Sequence, residues 1–476
     1  YGIRRLMAER ATSARHAVDI AIELLGKYGY FSEGRTYTIA DPNEAWQLAI
    51  HQGNTWVARR VQDNEIIYIP NNFMMDKVDL NDKETWRIEP KQVERAIKDG
   101  RHDAKNPIFN WRKVVAQESV RHERWNANRN VLAWKFLTGV EYNDPEKFPY
   151  SAVIDRKLGV KDAMALLRLH EDYIGQDQEL YHSKSEGICR TTSHDSIVYN
   201  LTADPTLTEA WKTLGRPCQS VFVPLYPLAG PAKGTAFTDP ATATKEHFAG
   251  TPAMFDYRAD FTPHSVFSAS NNAIDYLRGD ELAKRTQLIQ AEEDKFMKDR
   301  AAVTKKAAGL KGEERTKFLH DYNQKSYDHV LKIMQAENAR LMPNKVKILA
   351  DVVKADGDGT VDFALLGAKG HEVLSANMEA TRAGMSANQL NSTRQWKNFA
   401  PAEKMVYKDV NNDGITDVVF TFKAKDVTKG AVAGAAMDLW LYTQINGHRV
   451  TGFDVVPVEN DKVKMNKGAR DGKGLL

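Results

Sequence analysis

Cysteine is nearly absent: two residues in 476 exclude a disulfide framework and the multi-cysteine zinc modules. No uninterrupted apolar run approaches the ~18 residues of a membrane-spanning helix. Neither sign of charge dominates. Sixty-six Lys and Arg stand against 63 Asp and Glu, a formal +3, which argues against a surface dedicated to nucleic acid or anionic membrane. GxGxxG, GxxxxGK[ST], GxSxG and HExxH are all missing, so the common nucleotide, α/β-hydrolase and zincin chemistries have no anchor. Among the 13 histidines, His102, His122, His182 and His194 show no i, i+4 ligand pairing. What remains is ordinary globular material, 42% hydrophobic and 27% charged, enough to build a full core. At ~150 residues per domain the length fits one large domain plus a smaller one.

The chain opens on Tyr1-Gly2-Ile3-Arg4-Arg5-Leu6-Met7, core-like text without the basic and apolar regions of a signal peptide. The expectation is a trimmed or processed start, with an upstream part elsewhere. Thr12 and Ser13 offer a helix N-cap ahead of Ala17, Ile20, Ala21, Leu24 and Leu25, and Gly26 and Gly29 stop that helix. Short β-rich runs follow: Tyr37 to Asp41, Ala45 to Ile50, Trp56 to Arg60 and Glu65 to Pro70. The Pro42-Asn43 and Gly53-Asn54 turns between them predict an antiparallel meander. Trp111, Trp125 and Trp134 are expected in the core.

Segments 281–308 and 313–341 lack Gly and Pro, and Gly309 and Gly312 punctuate the gap, so a helical hairpin is predicted over 281–341. Its expected buried face carries Phe318, Leu319, Tyr322, Val330, Ile333 and Met334, with its charges on a solvated face. Met342-Pro343 marks a boundary. Residues 1–343 then form one α+β domain, 345–460 an all-β, sandwich-like domain, and 461–476 a flexible tail.

Three places carry chemistry. Asp409, Asn411, Asp413 and Asp417 stand at positions 1, 3, 5 and 9 of a loop with Gly414 at position 6, the front half of a calcium loop; Phe420 occupies position 12 where a bidentate Glu belongs. Asp356-Gly357-Asp358 is a looser version, and Asx/Gly turns before strands explain both loops equally. A structural Ca²⁺ is the metal expectation, with no cofactor for catalysis. Asn71 and Asn72 follow Pro70 at a strand end, where an amide donor suits a developing oxyanion. Ile188-Cys189-Arg190-Thr191-Thr192-Ser193-His194 is a polar run in which a guanidinium with neighbouring hydroxyls suits a substrate carboxylate or a thiolate. A turn cap at Asn71 and a surface Arg190 are the bland alternatives.

Several of these blocks together resemble the C69 dipeptidases: Tyr1-Gly2-Ile3-Arg4-Arg5-Leu6-Met7-Ala8-Glu9-Arg10, Tyr28-Gly29-Tyr30, Tyr37-Thr38-Ile39-Ala40-Asp41-Pro42-Asn43-Glu44-Ala45-Trp46, Trp56-Val57-Ala58-Arg59-Arg60-Val61, Ile69-Pro70-Asn71, Ile188-Cys189-Arg190-Thr191-Thr192 and Gly215-Arg216-Pro217. The match covers roughly residues 1–230. It implies an Ntn-hydrolase αββα sandwich in which an amino-terminal cysteine is the nucleophile and its own α-amine, of ordinary pKa ~7.7–8.0, is the base. Here residue 1 is Tyr, so the resemblance places that cysteine on an upstream segment or partner chain. Asn71 would then hold the oxyanion, Arg190 would match the arginine of the late catalytic block, and Thr191 and Thr192 would line the substrate site.

Other readings stand beside it. Cys189 with His194 is a second possible nucleophile pair, Cys189 and Cys218 could form a disulfide, and an internal Cys beside a strand is commonly an inert core residue. The expected partners are a dipeptide substrate, the cysteine-bearing upstream chain and further copies of this chain, with no nucleic acid and no membrane span. The competing function is a non-catalytic, calcium-stabilised surface or assembly protein on an Ntn scaffold; a relative acting on acylated amino acids or bile-salt-like amides is a third. Calcium-type loops point to a bacterial periplasm or exterior ahead of the cytosol.

Overall fold

The computed structural model describes residues 2–170, 187–190, 193, 195–232, 280–341, 344–385, 399–429, 431, 433–462 and 464. Helices and sheets are both abundant, an α+β chain. It divides into two compact units, one built mainly from residues 1–171 and the other mainly from 210–476.

The first unit starts with helices α1 (Gly2–Arg10) and α2 (Ala14–Tyr28). Ser13 caps α2 in extended backbone, its Oγ accepting from His16 N at 3.1 Å, and Gly29 ends the helix at φ +68°. Asp41 ties this helix to the next turn: its carboxylate accepts the amides of Ala14, Asn43 and Glu44 at 2.7–2.9 Å. Burial alone would raise the Asp41 pKa, but these amides outweigh it and hold the group below the usual carboxylate range.

Strands β1 (Arg35–Ala40), β2 (Ala45–His51) and β3 (Thr55–Arg60) form the expected antiparallel meander. Beyond β4 (Glu65–Ile67) and β5 (Val78–Asp79), strand β6 (Trp86–Ile88) closes the sheet in the order β1-β2-β3-β6. Alternation sorts the two faces. Trp46, Leu48, Ile50, Trp56 and Ala58 pack on α2, which buries Ala17, Val18, Ile20, Ala21 and Leu25. Ala49 and Val57 turn the other way, onto Met74, Met75, Trp86, Phe109 and Trp111. Each such large side chain withdrawn from water contributes roughly 1.5–3 kcal/mol. The second face is covered at Ala49 and Val57 and only partly toward β1, where Thr36 is half-buried and Thr38 exposed.

Helices α3 (Pro90–Lys98), α4 (Trp111–Val115), α5 (Glu118–His122) and α6 (Arg124–Thr138) follow, with β7 (Ile108–Phe109) between α3 and α4. Strand β8 (Ser151–Val153) pairs with β4, and α7 (Val160–Leu167) comes after it. Trp111 and Trp134 are fully buried, whereas Trp125 is half-buried.

The second unit holds a three-stranded sheet in the order β11-β10-β9, from β9 (Ser196–Asn200), β10 (Glu209–Thr213) and β11 (Val223–Leu225). The predicted hairpin is two 30-residue helices, α8 (Asp280–Gly309) and α9 (Gly312–Leu341). Its buried faces differ from expectation. Phe318, Tyr322 and Ile333 are only half-buried, while Asn323, Ser326 and Glu337 are inside. The reason is backbone left open by the chain around β11. Asn323 accepts from Tyr226 N at 2.7 Å and donates to the Tyr226 and Gly230 carbonyls, and Glu293 accepts from Phe222 N at 2.8 Å. Charges expected in solvent are interior too: Arg285, fully buried, bonds Glu337 at 3.2 Å, and burial brings its pKa down to about 10.

Two sheets then share one core, β12-β14-β18-β17 against β13-β20-β19-β15-β16. They are built from β12 (Val346–Ile348), β13 (Val353–Lys354), β14 (Thr360–Leu365), β15 (Arg382–Met385), β16 (Ala400–Pro401), β17 (Lys404–Lys408), β18 (Asp417–Lys423), β19 (Ala435–Ile445) and β20 (His448–Glu459). Phe363, Phe420 and Phe422 of one sheet pack with Leu439, Leu441 and Val456 of the other. Asn446 (φ +52°) and Gly447 (φ +79°) make the tight turn between β19 and β20. The helical pair and this sandwich fall in the same compact unit.

Candidate active site

In the first unit a cleft of about 890 Å³ opens on the sheet face that β1 leaves uncovered. Thr36, Thr38, Gln47 and His51 form its sheet side; Asn71, Asn72 and Phe73 face them from the loop after β4, with Gln117 and Val120 alongside. The lining is mainly polar and uncharged. Gln47 is 5% exposed and holds Thr38 Oγ1 at 3.0 Å through Nε2, while its Oε1 has no partner among the described residues. His51 meets the Phe73 ring edge-on at 6.2 Å, and burial lowers its pKa, keeping the ring neutral at pH 7. Gly34 (φ +147°) lets the loop approach, because a Cβ there would sit 2.4 Å from Phe73 Cζ.

The strand leading to Asn71 is shorter than the sequence predicts. β4 ends at Ile67, and Asn71 lies in a bend beyond it. Pro70 has no N–H to give a ladder and restricts the residue before it, which explains the early stop. Upstream, Arg59 bonds Glu65 at 2.8 Å with both side chains about nine-tenths buried, and the guanidinium lies over the Trp86 and Tyr150 rings. Burial would raise the Glu65 pKa. Hydrogen bonds from Arg59 and Ser151 and the Arg59 charge reverse this and lower it.

Asn71 is held by α6, from 55 to 58 residues away in sequence. Its backbone N–H donates to Asn126 Oδ1 at 3.2 Å, and Arg129 Nη1 donates to Asn71 Oδ1 at 3.0 Å. Both holders are buried, Asn126 at 0% and Arg129 at 4% exposed. A guanidinium only donates, so the oxygen of the Asn71 amide must face Arg129 and the NH₂ is the end offered to the cleft. Among the described residues that NH₂ has no partner. A donor so held can stabilise negative charge on a bound carbonyl oxygen.

Arg190 belongs to the second unit, in a turn where its N–H donates to Ser193 Oγ at 3.2 Å and its carbonyl accepts from Ser193 N at 3.0 Å. Thr191, Thr192 and His194 lie outside the described residues. Cys189 is 1% exposed, and neither it nor Cys218 forms a disulfide.

The acidic loop forms a hydrogen-bonded turn from its own groups. Asp409 Oδ2 accepts from Gly414 N at 2.9 Å, Asp413 Oδ1 from Ile415 N at 2.8 Å, and Asn411 Nδ2 donates to Asp413 Oδ2 at 2.8 Å. Asp417 is fully buried, and its two oxygens accept from Gly367 N and Val410 N, both at 2.8 Å. As placed, Asp417 joins two backbone segments and does not converge with Asp409, Asn411 and Asp413 on a cation.

The sequence model of peptidase family C69 matches residues 2–248. The chain belongs to peptidase family C69. Its relatives include a "Probable dipeptidase" of Latilactobacillus sakei, 23% identical over 45% of this chain and 47% of the relative, and a "Probable dipeptidase B" of Lactococcus lactis subsp. lactis (strain IL1403), 27% identical over 54% and 52%. A "Probable dipeptidase A" of Streptococcus pyogenes serotype M1 is 27% identical over 35% of each chain. The chain spans about half the length, or less, of these relatives. The C69 match contains the whole Asn71 cleft and stops ahead of the helical pair and the sandwich. No helix among the described residues is long and apolar enough to cross a membrane.

The residues that hold Asn71, Asn126 and Arg129, were not singled out from the sequence. The buried stripe of α6 is Asn126, Arg129, Asn130, Ala133, Trp134 and Leu137, a regular i, i+3, i+4, i+7, i+8, i+11 pattern whose first half is polar. Running the apolar stripe back toward the helix start would have marked Asn126 and Arg129 as interior.

Proposed function

We propose that the Asn71 cleft is the amide-hydrolysing site of a cysteine-type dipeptidase whose nucleophile is the amino-terminal cysteine of an upstream segment or partner chain. The observation that carries this reading is the Asn71 amide, its oxygen held from behind so that the NH₂ faces a polar cleft. The C69 match and the relatives' names support dipeptides as substrates.

In this mechanism the cysteine α-amine takes the thiol proton and the sulfur attacks the scissile carbonyl carbon. The C=O π pair moves onto oxygen, where Asn71 Nδ2–H donates to it. Collapse reforms C=O and breaks C–N, and the departing amine takes the proton from the α-ammonium. Water then adds to the thioester and releases the acid. Thr36, Thr38 and Gln47 are suited to hydrogen-bond the dipeptide backbone.

The test is Asn71→Ala in protein expressed from its complete coding sequence. Removing an oxyanion donor lowers kcat by ~10²–10³-fold. Unchanged hydrolysis with an unchanged circular dichroism spectrum would show that Asn71 is not the oxyanion donor, and a wild type that hydrolyses no dipeptide would point to a non-catalytic scaffold.

A further inference from the structure

We infer that Arg129 is a positioning residue for catalysis that acts through Asn71, an assignment that rests on the oxyanion reading above. Contacts among the described residues help to fix the guanidinium: Nε donates to the Gly187 carbonyl at 3.1 Å, Nη1 donates to Asn71 Oδ1 at 3.0 Å, and the group lies 4.9 Å from the Trp125 ring centroid. Arg129 is 4% exposed, in the first unit with Asn71. A desolvated guanidinium is an expensive way to steady a loop, since a neutral donor would hold an amide oxygen as well. The charge adds what a neutral donor cannot. It forbids the flipped amide, in which two donors would face each other, and it draws electron density toward Oδ1 so that Nδ2–H becomes the stronger donor. It also sets a fixed positive charge behind the atom that receives the oxyanion, with no reorganisation during the reaction.

Asn126 supplies the second point of support. Its Oδ1 accepts the Asn71 N–H at 3.2 Å while its Nδ2 donates to the Val120 carbonyl at 2.9 Å. Asn126 and Arg129, one turn apart on a single helix face, therefore set both the backbone and the side chain of Asn71. The arrangement is polar, buried and directed at one exposed residue.

A double-mutant cycle tests this: wild type, Asn71→Ala, Arg129→Met and the double variant, expressed from the complete coding sequence and assayed on a dipeptide. Arg129→Met should lower kcat by ~10–100-fold with KM within ~3-fold, because the lost interaction matters in the transition state. In the Asn71→Ala background the same change should cost under ~3-fold, since the donor it positions is gone. Arg129→Gln, which keeps a neutral donor, should fall between wild type and Arg129→Met, and it takes over the cycle if circular dichroism shows that Arg129→Met does not fold. An Arg129 effect of equal size in both backgrounds overturns the inference and leaves the oxyanion reading standing. If Asn71→Ala keeps full kcat, the oxyanion reading falls and this inference with it.

Discussion

Neutralising Glu65 should loosen the strand that delivers Asn71 to the cleft. The Arg59–Glu65 pair is 2.8 Å long with side chains 11% and 7% exposed. Unit charges about 4 Å apart at an effective dielectric near 20 attract by roughly 4 kcal/mol, and desolvation offsets part of that. Glu65→Gln keeps an acceptor for Arg59 and removes the charge, so the expected loss is roughly 1.5–3 kcal/mol, the net worth of a hydrogen bond to a charged group. Glu65→Ala leaves the guanidinium without its counter-ion and should cost roughly 3–5 kcal/mol. Hydrogen exchange of peptides covering β3 and β4 reads this locally, and Glu65→Gln should speed exchange ~10–150-fold at pH 7. The Glu65 pKa is lowered in the fold. Its contribution is therefore fully present above the unfolded value of ~4.3 and is lost as pH falls through the lower folded value. The difference between wild type and variant should shrink below about pH 4. Exchange within ~3-fold of wild type at pH 7, or a difference that persists unchanged at pH 3, would refute the reasoning.

Further outcomes follow from the same geometry. The His51 Hε1 resonance should titrate below the ordinary 6.5, because burial disfavours the cation; stability tied to the neutral ring is present above 6.5 and lost as pH drops, and a midpoint above 6.5 would contradict this. Gly34→Ala forces a Cβ to within 2.4 Å of Phe73 Cζ at φ +147°; overpacking of roughly 1–3 kcal/mol should lower Tm, and an unchanged Tm would show that Phe73 moves freely. Asp417→Ala strands two backbone amides and should cost roughly 2–4 kcal/mol of sandwich stability in urea unfolding, while millimolar Ca²⁺ should leave wild-type Tm unmoved; a calcium-dependent rise would restore the metal reading of the loop.

Much of the fold was legible because its signals are local. Ser13 and Gly29 bracket α2, Gly53 turns the chain between β2 and β3 at φ +70°, and Gly309 and Gly312 separate the long helices. Legibility failed where partners are distant in sequence. Nothing near residue 323 says that its amide will serve the backbone of residue 226, so Asn323 is missing from the predicted buried face although it is interior. The strand before Asn71 was drawn too long because Ile69 continues the β-rich run that Pro70 ends. Asn71 was singled out by its residue type after proline; the guanidinium that holds its amide oxygen lies 58 residues on, out of reach of any local pattern. Loop spacing reads Asp417 as a calcium ligand; at the start of β18 its oxygens accept from Gly367 N and Val410 N, partners 50 and 7 residues away.

The most direct measurement is a crystal structure of the protein, expressed from its complete coding sequence, with a dipeptidyl aldehyde bound as a hemithioacetal. The account predicts sulfur from an amino-terminal cysteine on the aldehyde carbon and the new oxygen ~2.7–3.1 Å from Asn71 Nδ2, the span expected of an oxyanion donor, with Arg129 still on Oδ1. An adduct oxygen turned away from Asn71, or an aldehyde bound outside the cleft, would contradict it.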